Sequence, residues 1–164
     1  MGDQIVIDTG PLVSFGRAEL LDIVGGLPFE FISPDEVFEE LEQGAAAGYP
    51  RVEPRWLKRM SLSSPIDRVA NLALDMGETA VIQLALERGI RRVCIDERKG
   101  RLAAQWVNLE VIGSLGLLIR AKKQGLLPLL RPHLEKLGKV GIYYHESLVH
   151  RVLEAVGEAD TVEE

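Results

Sequence analysis

The chain has 164 residues, one cysteine and a net charge of −6, with 46% hydrophobic and 27% charged residues. That length suits one domain with its own core, and the balance of apolar to charged residues excludes wholesale disorder, collagen-like repeats and coiled coil. A single thiol, Cys94, excludes an intrachain disulfide and a cysteine zinc cluster, as suits a reducing cytoplasm.

Residues 4–7 form a β-branched run ending in Asp8-Thr9-Gly10-Pro11, and Leu12, Val13 and Phe15 then begin a helical spacing with Pro11 in its first turn. This reads as strand, tight turn and helix. Residues 29–32 are a second strand, and Ser33 is the expected cap of a helix over 35–43 that turns Val37, Phe38 and Leu41 inward. A loop covers 44–50, Trp56, Leu57 and Met60 are spaced for a further helix, and 61–65 has no regular pattern. Asp75-Met-Gly-Glu78 precedes Ala80, Val81, Leu84, Ala85 and Leu86, a helix closed by Gly89. Residues 91–96 return as a strand ending in Asp96, followed by a helix over 98–106, a strand over 109–112, and a helix from Gly113-Ser114 through Lys123. Strands of about five residues alternating with helices of roughly ten predict an α/β three-layer sandwich with a central, mostly parallel sheet. After Pro128 the pattern is wholly helical, over 129–137 and 146–156, and forms a C-terminal appendage on the same core.

The domain so defined is 1–156, and 157–164 is an acidic, disordered tail. Of the net −6, four charges sit there at Glu158, Asp160, Glu163 and Glu164, leaving −2 on the body. The longest apolar stretch, 111–119, is ended by Arg120, Lys122 and Lys123, well short of the ~18 residues of a membrane span. The amino terminus lacks the basic start of a signal peptide, so the expectation is cytoplasmic, with no membrane partner.

In open parallel sheets ligands bind beyond the carboxyl ends of the strands. Asp8 and Asp96 each end a strand, and Ser114 follows another after one glycine. A helix of about eleven residues leads down from Glu78 and a strand of about five leads back, each ~16 Å, so Glu78 and Asp96 finish on the same rim. Glu40 lies nearly two turns into its helix and joins them only if that helix crosses the top of the sheet. Carboxylates ~4 Å apart repel by ~4 kcal/mol per pair at an effective dielectric near 20. No Lys or Arg flanks Asp8 or Glu78 in sequence, so a hard divalent cation, Mg²⁺ or Mn²⁺, is the simplest neutralising partner. Phosphodiester hydrolysis is the matching reaction. Each acid also has an ordinary structural role open to it: Asp8 or Asp96 as a helix cap, Glu78 as a first-turn acid, Glu39 and Glu40 as solvated surface. Arg98, Lys99 and Arg101 follow Asp96 and suit a phosphate backbone or a solvated helix face. Cys94 reads as core, and His133, His145 and His150 lack metal-ligand spacing.

With those residues in hand, the chain resembles the PIN-domain family, metal-dependent ribonucleases that include VapC-like toxins of toxin–antitoxin pairs. Ile5-Val-Ile-Asp8-Thr-Gly-Pro-Leu-Val is similar to the family's opening strand and first acid, and Pro34-Asp-Glu-Val-Phe-Glu-Glu40-Leu to its second. Gly77-Glu78-Thr-Ala-Val-Ile is similar to the Gly-Glu helix start of one branch, and Val93-Cys-Ile-Asp96-Glu-Arg-Lys-Gly-Arg101 to the strand with the last acid. The resemblance implies an endoribonuclease with Asp8, Glu40, Glu78 and Asp96 as catalytic acids and Asp8, Glu78 and Asp96 as Mg²⁺ or Mn²⁺ ligands. Thr9, Arg98, Lys99 and Ser114 would touch the RNA. Glu39 competes with Glu40 for its place, and Glu97 with Asp96. The resemblance further implies a homodimer and a small antitoxin partner, and the alternative is a degenerate, non-cleaving RNA- or protein-binding module.

Overall fold

Ile5, Val6 and Ile7 are consecutive and all fully buried, which a strand achieves only when helices cover both faces of its sheet. They belong to β1 (Asp3–Ile7), the central strand of a computed structural model that describes residues 3–158. Around it stand β2 (Phe29–Pro34), β3 (Leu57–Met60), β4 (Arg92–Cys94) and β5 (Glu110–Ile112), in the order β3-β2-β1-β4-β5. Every pairing is parallel. The helices are α1 (Thr9–Arg17), α2 (Leu21–Gly25), α3 (Asp35–Ala46), α4 (Ala70–Ala73), α5 (Met76–Arg88), α6 (Arg98–Trp106), α7 (Ser114–Lys123), α8 (Arg131–Lys139) and α9 (Glu146–Ala155).

α5 is the most buried helix, with Gly77 through Ile82 in contact with the core, and it ends at Gly89, whose φ of 65° only glycine adopts cheaply. Leu134 and Leu137 of α8 and Val152 and Leu153 of α9 join the same hydrophobic cluster as the sheet, so the appendage and the sheet share one core. The chain leaves β1 toward β2 on one side and leaves β4 toward β5 on the other. The reversal between β1 and β4 opens a crevice at their carboxyl ends.

Three local expectations are corrected. Trp56, Leu57 and Met60 do not build a helix: 57–60 is the edge strand β3, in register with β2 from Phe31↔Leu57 to Pro34↔Met60. Trp56 is held instead by its ring against Phe31, 4.9 Å between centroids. Ser33 does not cap α3, whose N-cap residue is Pro34, without a side-chain hydrogen bond; the Ser33 hydroxyl turns inward and donates to Ile7 O at 2.6 Å. Glu158 is not part of a loose tail. It accepts from the backbone N–H of Leu130 at 2.7 Å and of Arg131 at 3.2 Å, with Lys122 Nζ at 3.4 Å, and so satisfies the exposed donors at the start of α8. The rest of the expected tail, 159–164, lies outside the described residues. Among the described residues no helix is long and apolar enough to cross a membrane.

Candidate active site

Ile7 pairs with Cys94, so the residues that follow each strand are carried to the same rim. Asp8 is the cap of α1: its Oδ1 accepts from Thr9 N–H at 2.8 Å while its own N–H donates to Cys94 O at 3.0 Å. The residue is only 5% exposed. Burial raises its pKa from 3.8 to about 7, against the lowering effect of the Thr9 hydrogen bond, and the charges of Asp75, Glu40 and Asp96 push it further up.

Glu40 does reach the rim. Its Oε2 accepts from the Thr9 hydroxyl at 2.7 Å, and its carboxylate lies so close to Gly77 that a Cβ there would collide with it. Burial again raises its pKa, offset by Thr9 and by the Gly77 N–H and reinforced by Asp75. Glu39 is exposed, whereas Glu40 is half-buried against Thr9.

Glu78 is 6% exposed and sits in the first turn of α5. Burial, a hydrogen bond to the Asp75 carboxylate, and the charges of Asp75, Asp8 and Glu97 raise its pKa from 4.5 to about 8. Its Oε2 is buried without a hydrogen-bond partner and faces Gly100, where an added Cβ would stand 2.5 Å away. Gly100 is therefore the wall that lets Glu78 in.

Asp96 is more open and is held by α7, accepting from Ser114 N–H at 2.8 Å and from the Ser114 hydroxyl at 2.5 Å. The cap of α6 is Glu97, so Asp96 is spent on Ser114 and not on its own helix. Gly113 keeps that contact open, since a Cβ there would meet Arg101 Nη1 at 2.7 Å and Asp96 Oδ1 at 3.2 Å.

Asp8, Glu40, Glu78 and Asp96 thus gather at the rim, with Thr9 and Ser114 as their hydroxyl partners. Arg98 and Lys99 are exposed in the first turn of α6, next to Asp96 in sequence and outside the acid cluster. Asp75 was not foreseen. It caps α5, accepting from Glu78 N–H at 2.7 Å, and its position three residues before Glu78 at a helix start was the available signal.

The sequence model of the PIN domain matches residues 4–158. The chain belongs to the PIN-domain family. PIN domains are generally nucleases that use divalent metal ions. No curated protein matches the chain.

Two observations fit such an ion to this PIN domain: the donors are all carboxylate oxygens, as hard cations require, and one of them, Glu78 Oε2, is buried and unpartnered. Among the described residues, however, no three His, Cys, Asp or Glu side chains stand close enough to share an ion. Each acid is turned to a local partner, Asp8 to Thr9, Glu40 to Thr9 and Gly77, Glu78 to Asp75, and Asp96 to Ser114.

Proposed function

We propose that this PIN domain is a metal-dependent endoribonuclease, with Asp8, Glu78 and Asp96 as the ligands of Mg²⁺ or Mn²⁺ and Glu40 as the fourth acid. The observation that carries the reading is the pair of buried acids Asp8 and Glu78 at one rim, neither with a Lys or Arg ion pair among the described residues, raised to about 7 and about 8. Groups held that far from their preferred charge state are stabilised by a cation, and a fold gathers them at that cost for a reason of function.

A divalent ion supplies charge neutralisation at the phosphate and activation of water when bound. The chain's own residues do the rest. Thr9 spans the cluster, donating its N–H to Asp8 and its hydroxyl to Glu40, which fixes the orientation of both. Ser114 holds Asp96 at the open side, and Asp75 holds the proton of Glu78 until that carboxyl is needed as a ligand. Arg98 and Lys99, exposed beside the rim, steady the backbone of the RNA by charge and so position it without reading its sequence. The resemblance extends this reading to a cytoplasmic toxin, a homodimer held in check by an antitoxin.

Asp8→Asn should abolish Mn²⁺-dependent RNA cleavage while leaving the fold intact; unchanged cleavage by that variant overturns the assignment. One observation favours a second reading, a non-cleaving binding module: the acids are tied to local partners and no three of them share a site. Calorimetric titration with Mn²⁺ separates the two, since binding heat that vanishes in Asp8→Asn supports the nuclease and its absence in the wild type supports the module.

A further inference from the structure

Beside the acid rim lies a cleft of about 630 Å³ between the β5–α7 edge and the segment that leads into α9. Asp96, Arg101 and Tyr144 line it together with apolar side chains, Leu115, Ile142, Leu148 and Val152 among them. That combination, a mostly apolar cleft with a few polar groups, is the usual form of a small-molecule or nucleotide pocket, and the volume is ample for one nucleotide.

Three features give the cleft chemical direction. Tyr144 is half-buried and lines the cleft together with Asp96, so it brings an aromatic ring to that wall. Arg101 is anchored by donation from Nη1 to Ile95 O at 3.0 Å, and both it and Asp96 border Gly113 in the cleft wall. β5 is the last strand of the sheet, and the backbone of Glu110 and Ile112 serves its neighbour, through Glu110 N–H to Arg91 O and Ile95 N–H to Ile112 O. Parallel strands alternate the direction of their backbone groups, so Val111, between those two residues and also in the cleft wall, turns its N–H and C=O to the open edge. An aromatic face, a donor–acceptor pair and a cation are the three elements that take a base, its polar edge and its phosphate.

We propose that this cleft is the subsite for one unpaired nucleotide of the bound strand, its base stacked on Tyr144 with its edge toward Val111 and its phosphate beside Arg101. The proposal deepens the nuclease reading and rests on it for the identity of the strand.

The test is a titration of the full chain, in EDTA, with adenosine 5′-monophosphate, followed by NMR of the methyl groups of Leu148 and Val152 and the amide of Val111. The methyls of Val13, Leu21 and Val52, in a separate groove, are the reference. Saturable shifts confined to the cleft are expected, weakened about tenfold by Tyr144→Ala, with ribose 5-phosphate producing none at the methyls. Absence of shifts in the wild type, or equal affinity in Tyr144→Ala, overturns the proposal and leaves the cleft to an apolar segment of a protein partner. The two readings fail separately: cleavage lost in Asp8→Asn with no nucleotide in the cleft removes the subsite alone, whereas a seated nucleotide in a protein that cleaves no RNA removes the nuclease alone.

Discussion

At the amino ends of the strands, Asp3 and Glu110 are both gripped by Arg92, at 2.8 and 3.0 Å, and Arg120 stands 3.8 Å from Glu110. At the carboxyl ends, Asp8, Glu40, Asp75 and Glu78 gather with no Lys or Arg ion pair among the described residues. Arg92 and Arg120 also lie over the Phe29 ring, 5.8 and 5.4 Å from its centroid, so the first rim is a finished structural surface. The same sheet therefore neutralises its acids at one end and leaves them to repel one another at the other. Exposed pairs of the first kind are worth ~0 to 1 kcal/mol each, whereas buried, unpaired acids destabilise the protein that carries them. The unneutralised rim is the one that fits a reaction.

The largest effect should come from removing a buried acid at that rim. Asp8→Asn or Glu78→Gln should eliminate Mn²⁺-dependent cleavage, and each should melt at or above the wild-type temperature in EDTA at pH 8, because the costly ionised carboxylate is gone. A lower melting temperature in both would make the acids structural. Gly100→Ala comes next. Its Cβ would stand 2.5 Å from Glu78 Oε2 and 2.9 Å from Ile95 Cγ2, so the variant should lose about 1 to 3 kcal/mol by urea unfolding and bind Mn²⁺ more weakly by calorimetry.

Proton linkage gives a third contrast. The folded-state pKa values of Asp8 and Glu78, about 7 and about 8, lie above the ordinary 3.8 and 4.5, so the folded protein holds protons that the unfolded chain has released. The stability these protons confer is complete below about pH 4 and is lost as pH rises through 7 and 8. Urea midpoints in EDTA should therefore fall between pH 5 and pH 8, by an amount equivalent to a few kcal/mol at most. Added Mn²⁺ should raise the midpoint more at pH 8 than at pH 5.5; a midpoint that rises with pH in EDTA contradicts the raised values. The smallest effect belongs to the neutralised rim, where Arg92→Ala should cost no more than about 1 kcal/mol by urea unfolding and leave cleavage unchanged.

Much of this was legible in the chain because the signals were local and reinforced one another. A β-branched run into Asp8 with Pro11 behind it, and the boundaries of α6 and α7, needed only neighbouring residues. The lengths of one helix and one strand pointed Glu78 to the rim where Asp96 lies, and there the charges acting on Glu78 are those of Asp75, Asp8 and Glu97. Glu40 was harder, since its place depends on how α3 lies over the rim, a tertiary fact that the Thr9 hydroxyl reports and its own neighbours do not. The segment 57–60 misled because spacings of one, three and four among Trp56, Leu57 and Met60 serve a helix and a short edge strand alike. Only pairing with β2 decides between them. Ser33 and Glu158 misled for a common reason: each polar group found a backbone partner distant in sequence, Ile7 O in one case and the start of α8 in the other.

The claim beneath all of these outcomes is that the carboxyl rim exists to hold a cation. A crystal soaked in Mn²⁺ and measured at the manganese absorption edge tests it directly. The account predicts anomalous density against Asp8 and Asp96, with the Glu78 side chain turned from Asp75 toward it, and none in Asp8→Asn. A clean wild-type map at millimolar Mn²⁺, with the four acids still on Thr9, Gly77, Asp75 and Ser114, would contradict it.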